Sequence, residues 1–212
     1  MDFEEKDIPE SAAADSPSVK QEKNDTRELV LSTLRDVVCV LSAILLLFTF
    51  CIRMVIVSGT SMCDTLENGD YLLVIGNLFY RDPQPGDIVV ACKDSFRDGE
   101  PIIKRVIATE GQTVDIDFAK GIVYVDGEAL NEPYVSTYTN ISEGGYFPQV
   151  VEKGHVFVMG DNRNDSLDSR SPEIGQLDHR QILGRAVFLL FPGVNRFSGK
   201  LELERIGVLD NG

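Results

Sequence analysis

The chain has 212 residues, 43% of them hydrophobic, with 34 acidic against 20 basic side chains and a net charge of −14. That length leaves room for one domain with a sizeable core beside a terminal segment. A surface of this sign repels a polyphosphate, so nucleic acid is not expected as a partner.

The first 36 residues hold ten acidic and five basic side chains in a Ser/Ala/Asp/Glu/Lys mixture. This composition reads as a disordered acidic tail, residues 1–36. An apolar run, Val37 to Val57, follows it with Arg53 as its one charge. A bilayer core takes about 20 apolar residues as helix, and Leu41 to Ile52 shows no polar face that a soluble helix would turn to water. Arg53, near one end, would snorkel into the headgroup layer. A cleaved signal peptide would begin with a short basic region, which the acidic stretch is not. Residues 37–57 are therefore expected to be an uncleaved, single-pass transmembrane anchor. Lys20, Lys23, Arg27 and Arg35 precede it and little beyond Arg53 follows, which places the N-terminus in the cytoplasm and the rest outside.

Beyond the anchor, short β-rich runs are bounded by Gly, Pro and Asp. They are Tyr71 to Ile75, Asp87 to Ala91, Ile102 to Ile107, His155 to Met159 and Arg185 to Phe191. Asp126-Gly127 between Gly121 to Val125 and Glu128 to Leu130 is a hairpin signal. The expected fold is mainly β: one N-terminal transmembrane helix, then an all-β domain of short antiparallel strands over residues 58–196. Ser136 to Gln149 is expected as a loop, and residues 197–212 as a C-terminal tail. Cys39 and Cys51 lie in the apolar run. Cys63 and Cys92 could pair in an oxidising exterior, but sequence does not set their separation, and free thiols are expected.

Ser61, in Ser58-Gly59-Thr60-Ser61-Met62, stands four residues past the anchor. A serine hydroxyl is a poor nucleophile until a base takes its proton. His155 and His179 are candidates without a local motif. Lys104, in Ile102-Ile103-Lys104-Arg105-Val106-Ile107, is another. Its reference pKa of about 10.4 forbids base chemistry at working pH, but burial among Ile102, Ile103, Val106 and Ile107 would disfavour the ammonium. Strand alternation puts Lys104 on the face of Ile102 and Val106. The same segment also reads as an edge strand guarded by a lysine. Gly160 to Arg170 is too polar for a strand. It reads as a solvated turn, or as a loop in which Asp168 pairs with Arg170 while Ser166 offers a hydroxyl to orient a nearby amine.

Four blocks, taken in order, resemble the type I signal peptidases, membrane-anchored Ser-Lys proteases, in the short Gram-positive-like form. They are Ser58 to Leu66, Pro85 to Val90, Ile103 to Ile107 and Gly160 to Arg170. The resemblance implies a signal-peptidase-type catalytic domain with Ser61 as nucleophile and Lys104 as general base. Ser166 would orient the lysine amine, with Asp168 and Arg170 in support and Asp161, Asn162 and Arg163 in the loop that carries Ser166. Met62, with Val57, Leu66 and Ile103, would line the pocket for the residue before the cut. Gly59 stands where many relatives carry a Ser or Thr hydroxyl that donates to the oxyanion, so the second donor is open. Asp64 replaces a usual proline and is expected to face solvent. The resemblance further implies cleavage of secretory preproteins after Ala-x-Ala-like sites, at a bacterial cell membrane near the export channel. The lipid bilayer is a partner, and no metal or organic cofactor is required. Signal-peptidase-like assembly factors typically lose a dyad residue, whereas this chain has both. A self-cleaving repressor would carry a DNA-reading module, which nothing here resembles.

Overall fold

The apolar run divides between a helix and a strand. The computed structural model of the protein describes residues 17–63, 65–96 and 99–209, the side chains of 17–25 and of Phe50 excepted. Helix α1 covers Pro17–Phe50, and its stretch Thr26–Thr49, of mean hydropathy 2.1, is long and apolar enough to cross a membrane. At the helical rise that stretch is about 36 Å long. Strand β1, Ile52–Ile56, takes the rest of the run and pairs antiparallel with β2, Tyr71–Gly76. The expected anchor at Val37 to Val57 is thus corrected at its C-terminal end. Arg53 stands opposite Val74 in a ladder instead of ending a helix. Ile52, Val55 and Ile56 are β-branched and suit a strand once a partner edge is present. Hydropathy alone does not register that partner.

The tail expectation changes too. Residues 17–36 continue α1, in keeping with their Lys, Glu, Gln, Arg and Leu, which are good helix formers. Residues 1–16 lie outside the described residues. The chain divides into two units, Met1–Leu46 and Leu47–Gly212, and the described strands belong to the second.

That second unit is mainly β, as its short bounded runs predict. Its remaining strands are β3 (Ile88–Ala91), β4 (Ile102–Thr109), β5 (Thr113–Asp117), β6 (Ile122–Val125), β7 (Glu128–Ala129), β8 (Gln149–Val150), β9 (His155–Met159), β10 (Leu177–Asp178), β11 (Ile182–Phe191) and β12 (Gly207–Val208). The larger sheet runs β1-β2-β11-β3-β4-β9-β10, with β12 added on β11. The smaller runs β7-β6-β5-β8. Asp126 and Gly127 have φ of 54° and 84°, the two left-handed residues that a tight β6–β7 turn needs. Strands β5, β8, β10 and β12 were not expected. The last places part of the presumed C-terminal tail in the sheet, Val208 opposite Phe188.

β4 is flanked by β3 and β9, so its lysine is not an edge guard. Its two faces serve different cores. Ile103 packs with Val57, Met62, Leu66 and Val90. Val106 packs with Val89, Val158 and Ile174. A third core, of Ile107, Val114, Val123 and Phe157, joins the two sheets.

Candidate active site

The loop from Val57 to Asp70 carries Ser61. Its neck is closed by backbone bonds, Val57 N to Asp70 O at 2.8 Å and Gly69 N to Val57 O at 2.9 Å. Within it the amides of Thr65 and Leu66 turn back onto Met62 O at 3.1 and 2.7 Å, and buried Met62 and Leu66 anchor that turn in the core. Gly59 has φ +98°, a region closed to most side chains. Its N–H donates to Asn68 Oδ1 at 3.0 Å. Gly59 therefore shapes the approach to Ser61 through its backbone.

Lys104 is 4% exposed. Its Nζ donates to Ser61 Oγ at 2.6 Å and to Ile103 O at 3.1 Å. Burial withdraws the side chain from water and leaves its amine against a hydroxyl and a carbonyl oxygen. Ser61 and Lys104 are 43 residues apart. They meet because β4 is interior to the sheet and the Ser61 loop packs against it through Val57, Met62 and Leu66 on Ile103.

The loop after β9 completes the constellation. Asp168 is fully buried, and its Oδ2 accepts from Ser166 Oγ at 2.8 Å, Gly160 N at 3.0 Å and Arg170 Nη2 at 2.8 Å, while Arg170 Nε bonds Oδ1 at 2.8 Å. The Ser166 proton is thus committed to Asp168, and its oxygen lone pairs remain to accept a bond from a nearby amine. The remainder of the loop grips the Ser61 loop directly. Asn162 N donates to Ser61 O and Asn162 Nδ2 to Thr60 O, each at 3.0 Å. Thr60 Oγ1 donates to Asp165 Oδ2 and Thr65 Oγ1 to Asp161 Oδ2, each at 2.6 Å.

Two further buried ion pairs hold this loop from outside. Arg105 forms a fork on Asp161 at 2.9 and 2.8 Å and lies 3.9 Å over the Tyr134 ring. Arg163 pairs with Glu132 and donates to Gly160 O at 3.1 Å. Burial opposes the Arg163 charge, and the Glu132 carboxylate more than offsets that. Arginine suits such sites because its planar fork meets both carboxylate oxygens. The Asp168–Arg170 pair was legible from proximity in the chain. The other two join residues 56 and 31 positions apart and have no local signal.

A cleft of about 620 Å³ opens over the pair, lined by Val57, Ser61, Met62, Ile103, Lys104 and Ser166 among others. Leu66 is not among the lining residues. It is fully buried in the core, because the turn on Met62 points it inward, and its expected place in the pocket is corrected. Phe96, Ile102 and Leu167 line the cleft and were not anticipated. An isolated apolar residue in a loop does not announce whether it faces core or cleft. Neither histidine is among the lining residues; His155 Nδ1 lies 3.0 Å from Lys153 O. Among the described residues no group of three or more His, Cys, Asp or Glu is placed to hold a metal ion. Cys63 and Cys92 are not joined in a disulfide, and burial with the Asp94 charge pushes the Cys92 thiol up from its ordinary value. Asp64 lies outside the described residues.

A family model described as signal peptidase, peptidase S26, matches residues 30–191. The chain belongs to this signal peptidase family. Among similar proteins, the probable signal peptidase I-1 of Synechocystis sp. is 41% identical over 144 residues, 64% of this chain and 69% of its own. The signal peptidase I of Bacillus licheniformis is 34% identical over 156 residues, 70% of this chain and 81% of its own. A crystal structure of a signal peptidase I from Enterococcus faecalis V583 is 30% identical and covers 49% of this chain and 96% of its own, with a TM-score of 0.39, too low to bear on the fold. The signal peptidase match takes in the apolar helix from residue 30, the Ser61 loop, β4 and the polar loop after β9. It stops at residue 191, the end of β11.

Proposed function

We propose that this signal peptidase removes N-terminal signal peptides from exported preproteins by a Ser61–Lys104 dyad. The observation that carries the reading is the 2.6 Å bond between Lys104 Nζ and Ser61 Oγ on a buried lysine. Neutral Lys104 takes the hydroxyl proton as Ser61 Oγ attacks the scissile carbonyl. The tetrahedral oxyanion is met by the backbone N–H of Ser61, a type of donor worth about 3 kcal/mol when well aimed. The Lys104 ammonium then gives its proton to the leaving amine, which departs with the mature chain. Lys104 next takes a proton from water, whose oxygen attacks the acyl-enzyme. The Ser61 Oγ–acyl bond breaks, the signal peptide leaves with a C-terminal carboxyl group, and Lys104 returns the proton to Ser61 Oγ. Ser166, with its proton held by Asp168, accepts a bond from the amine and keeps its lone pair aimed at Ser61. The reaction runs on side chains and water.

The preprotein binds extended in the cleft, where shallow apolar walls accept the small side chains of an Ala-x-Ala-like site. The apolar helix anchors the enzyme in a bacterial cell membrane, N-terminus in the cytoplasm and the β domain outside, near the export channel. Enzyme and substrate then share one surface, which raises their effective concentration. The test is processing of a preprotein with an Ala-x-Ala site by the wild type, Ser61→Ala and Lys104→Ala proteins. Cleavage by the wild type alone is expected. Near-full activity in either variant, or an inactive wild type, overturns the reading.

A further inference from the structure

The segment after β11 lies past the reach of the family match, yet it returns to the Ser61 loop. Leu203–Arg205 is a short 3-10 turn, and the strand after it, β12, pairs with β11 through Val208 opposite Phe188 and Gly207 opposite Leu189. Leu209 N then donates to Val187 O at 3.0 Å, and the Leu209 side chain packs against the core that holds Met62 and Leu66. This docking delivers Arg205 to Asp70. Arg205 Nη2 bonds Asp70 Oδ2 at 2.6 Å, Nη1 bonds Oδ1 at 3.1 Å, and Nη2 also reaches Thr65 O at 3.3 Å.

Asp70 is the neck of the Ser61 loop. It is fully buried, its carbonyl accepts from Val57 N, and its carboxylate also accepts from Glu67 N at 2.8 Å and Gly193 N at 2.6 Å. A carboxylate out of water requires a countercharge, and the loss of one partner leaves it uncompensated. The loop after β9 grips the Ser61 side of the same loop, through Asn162, Asp161 and Asp165. Arg205 adds a grip at the neck through Asp70, and it also touches the carbonyl of Thr65, four residues past the nucleophile.

We propose that Arg205 is a positioning residue for Ser61. By neutralising Asp70 and bonding Thr65 it holds the loop in the register that sets Ser61 Oγ against Lys104 Nζ. The inference rests on the proposed role of Ser61 for its catalytic consequence, while the ordering of the loop stands without it.

The test uses the full chain in detergent, with Arg205→Ala and Arg205→Lys compared with the wild type. Two quantities are read: kcat and KM on an Ala-x-Ala preprotein, and amide hydrogen exchange in Met62 to Leu66 against β9. Misplacement of a reacting group costs rate more than binding. Arg205→Ala is expected to lower kcat about tenfold or more with KM nearly unchanged, and to speed exchange in Met62 to Leu66 while β9 keeps its protection. Lysine restores the charge but not the fork, so Arg205→Lys should recover part of both effects. Unchanged kcat in Arg205→Ala overturns the proposal, as does exchange that rises equally in β9, the mark of general destabilisation. If Arg205→Ala does not fold, Arg205→Gln is read by the same measurements. If the wild type does not cleave the preprotein, the proposed function fails, and the exchange comparison alone supports or overturns the ordering of the loop by Arg205.

Discussion

Gly160 and Ser166 approach so closely that a Cβ on the glycine would sit 2.2 Å from Ser166 Oγ, and 2.4 Å from Ser61 O. Backbone without a side chain is therefore what lets the loop after β9 and the Ser61 loop touch. Gly160→Ala must displace one of them. Overpacking of this kind costs about 1–3 kcal/mol, and a nucleophile moved by a fraction of an ångström loses rate more than affinity. Gly160→Ala should fold with a lower melting temperature and lose about a hundredfold in kcat, with KM little changed. Steady-state kinetics beside a thermal melt checks this, and a kcat near wild type would count against the contact.

Ser166 and Asp168 share one hydrogen bond but differ in what their removal strands. Ser166→Ala deletes a hydroxyl and costs stability of about 1 kcal/mol, and in the proposed mechanism it also removes the acceptor that orients the Lys104 amine. Asp168→Asn leaves the fully buried Arg170 guanidinium without its carboxylate, a loss of about 3–5 kcal/mol. Denaturant midpoints should therefore separate the two variants, while kcat falls in both. Equal midpoints would show that the Asp168–Arg170 pair carries little of the loop's stability.

Leu66 and Ile103 were expected to do the same work, and the structure separates them. Leu66→Ala removes a side chain from the core and should cost about 2–5 kcal/mol, with the preference for the residue before the cut unchanged. Ile103, 9% exposed and in the cleft wall, opens space when shortened. Ile103→Ala should admit larger residues there. Processing of preproteins with Ala, Val or Leu at that position distinguishes them; altered preference in Leu66→Ala would return it to the pocket.

Tyr80 and Tyr134 predict an alkaline limit. Burial, then the Asp87 carboxylate bonded at 2.6 Å, pushes the Tyr80 phenol well above its ordinary value. Burial, then the Glu132 charge, does the same for Tyr134 beneath Arg105. The folded state holds these protons more tightly than the unfolded chain, so stability is fully present below pH of about 10 and declines as pH rises toward the folded values. The melting temperature of the wild type should fall more steeply from about pH 9 to about pH 11 than that of the Tyr80→Phe, Tyr134→Phe double variant. Parallel slopes would assign the alkaline loss to other groups.

Much of the β domain is legible along the chain, because its strands are short apolar runs punctuated by Gly, Pro and Asp. Asp126-Gly127 announces its hairpin by the positive φ both residues accept. β5 was missed because Asp115 and Asp117 interrupt Val114 and Ile116 on its outer face, and β8, β10 and β12 are two residues each. Pairs such as Arg105–Asp161 and Arg163–Glu132 leave no trace in local pattern, since neither partner needs the other until the sheet sets both on one side.

The sequence by itself determined that an apolar helix precedes a β domain, and that a serine after the helix, a lysine among isoleucines and a polar loop belong to one family pattern. Those properties are local, fixed by each residue's hydropathy, backbone preference and spacing. Tertiary structure decided that the apolar run breaks at Phe50, that Leu66 faces the core, and that Lys104 Nζ meets Ser61 Oγ across 43 positions of chain. It also decided that Arg205, past the end of the family match, closes on Asp70 at the neck of the same loop. Each depends on strand register and on the pairing of buried charges, and both arise only when distant segments exclude water from the same place.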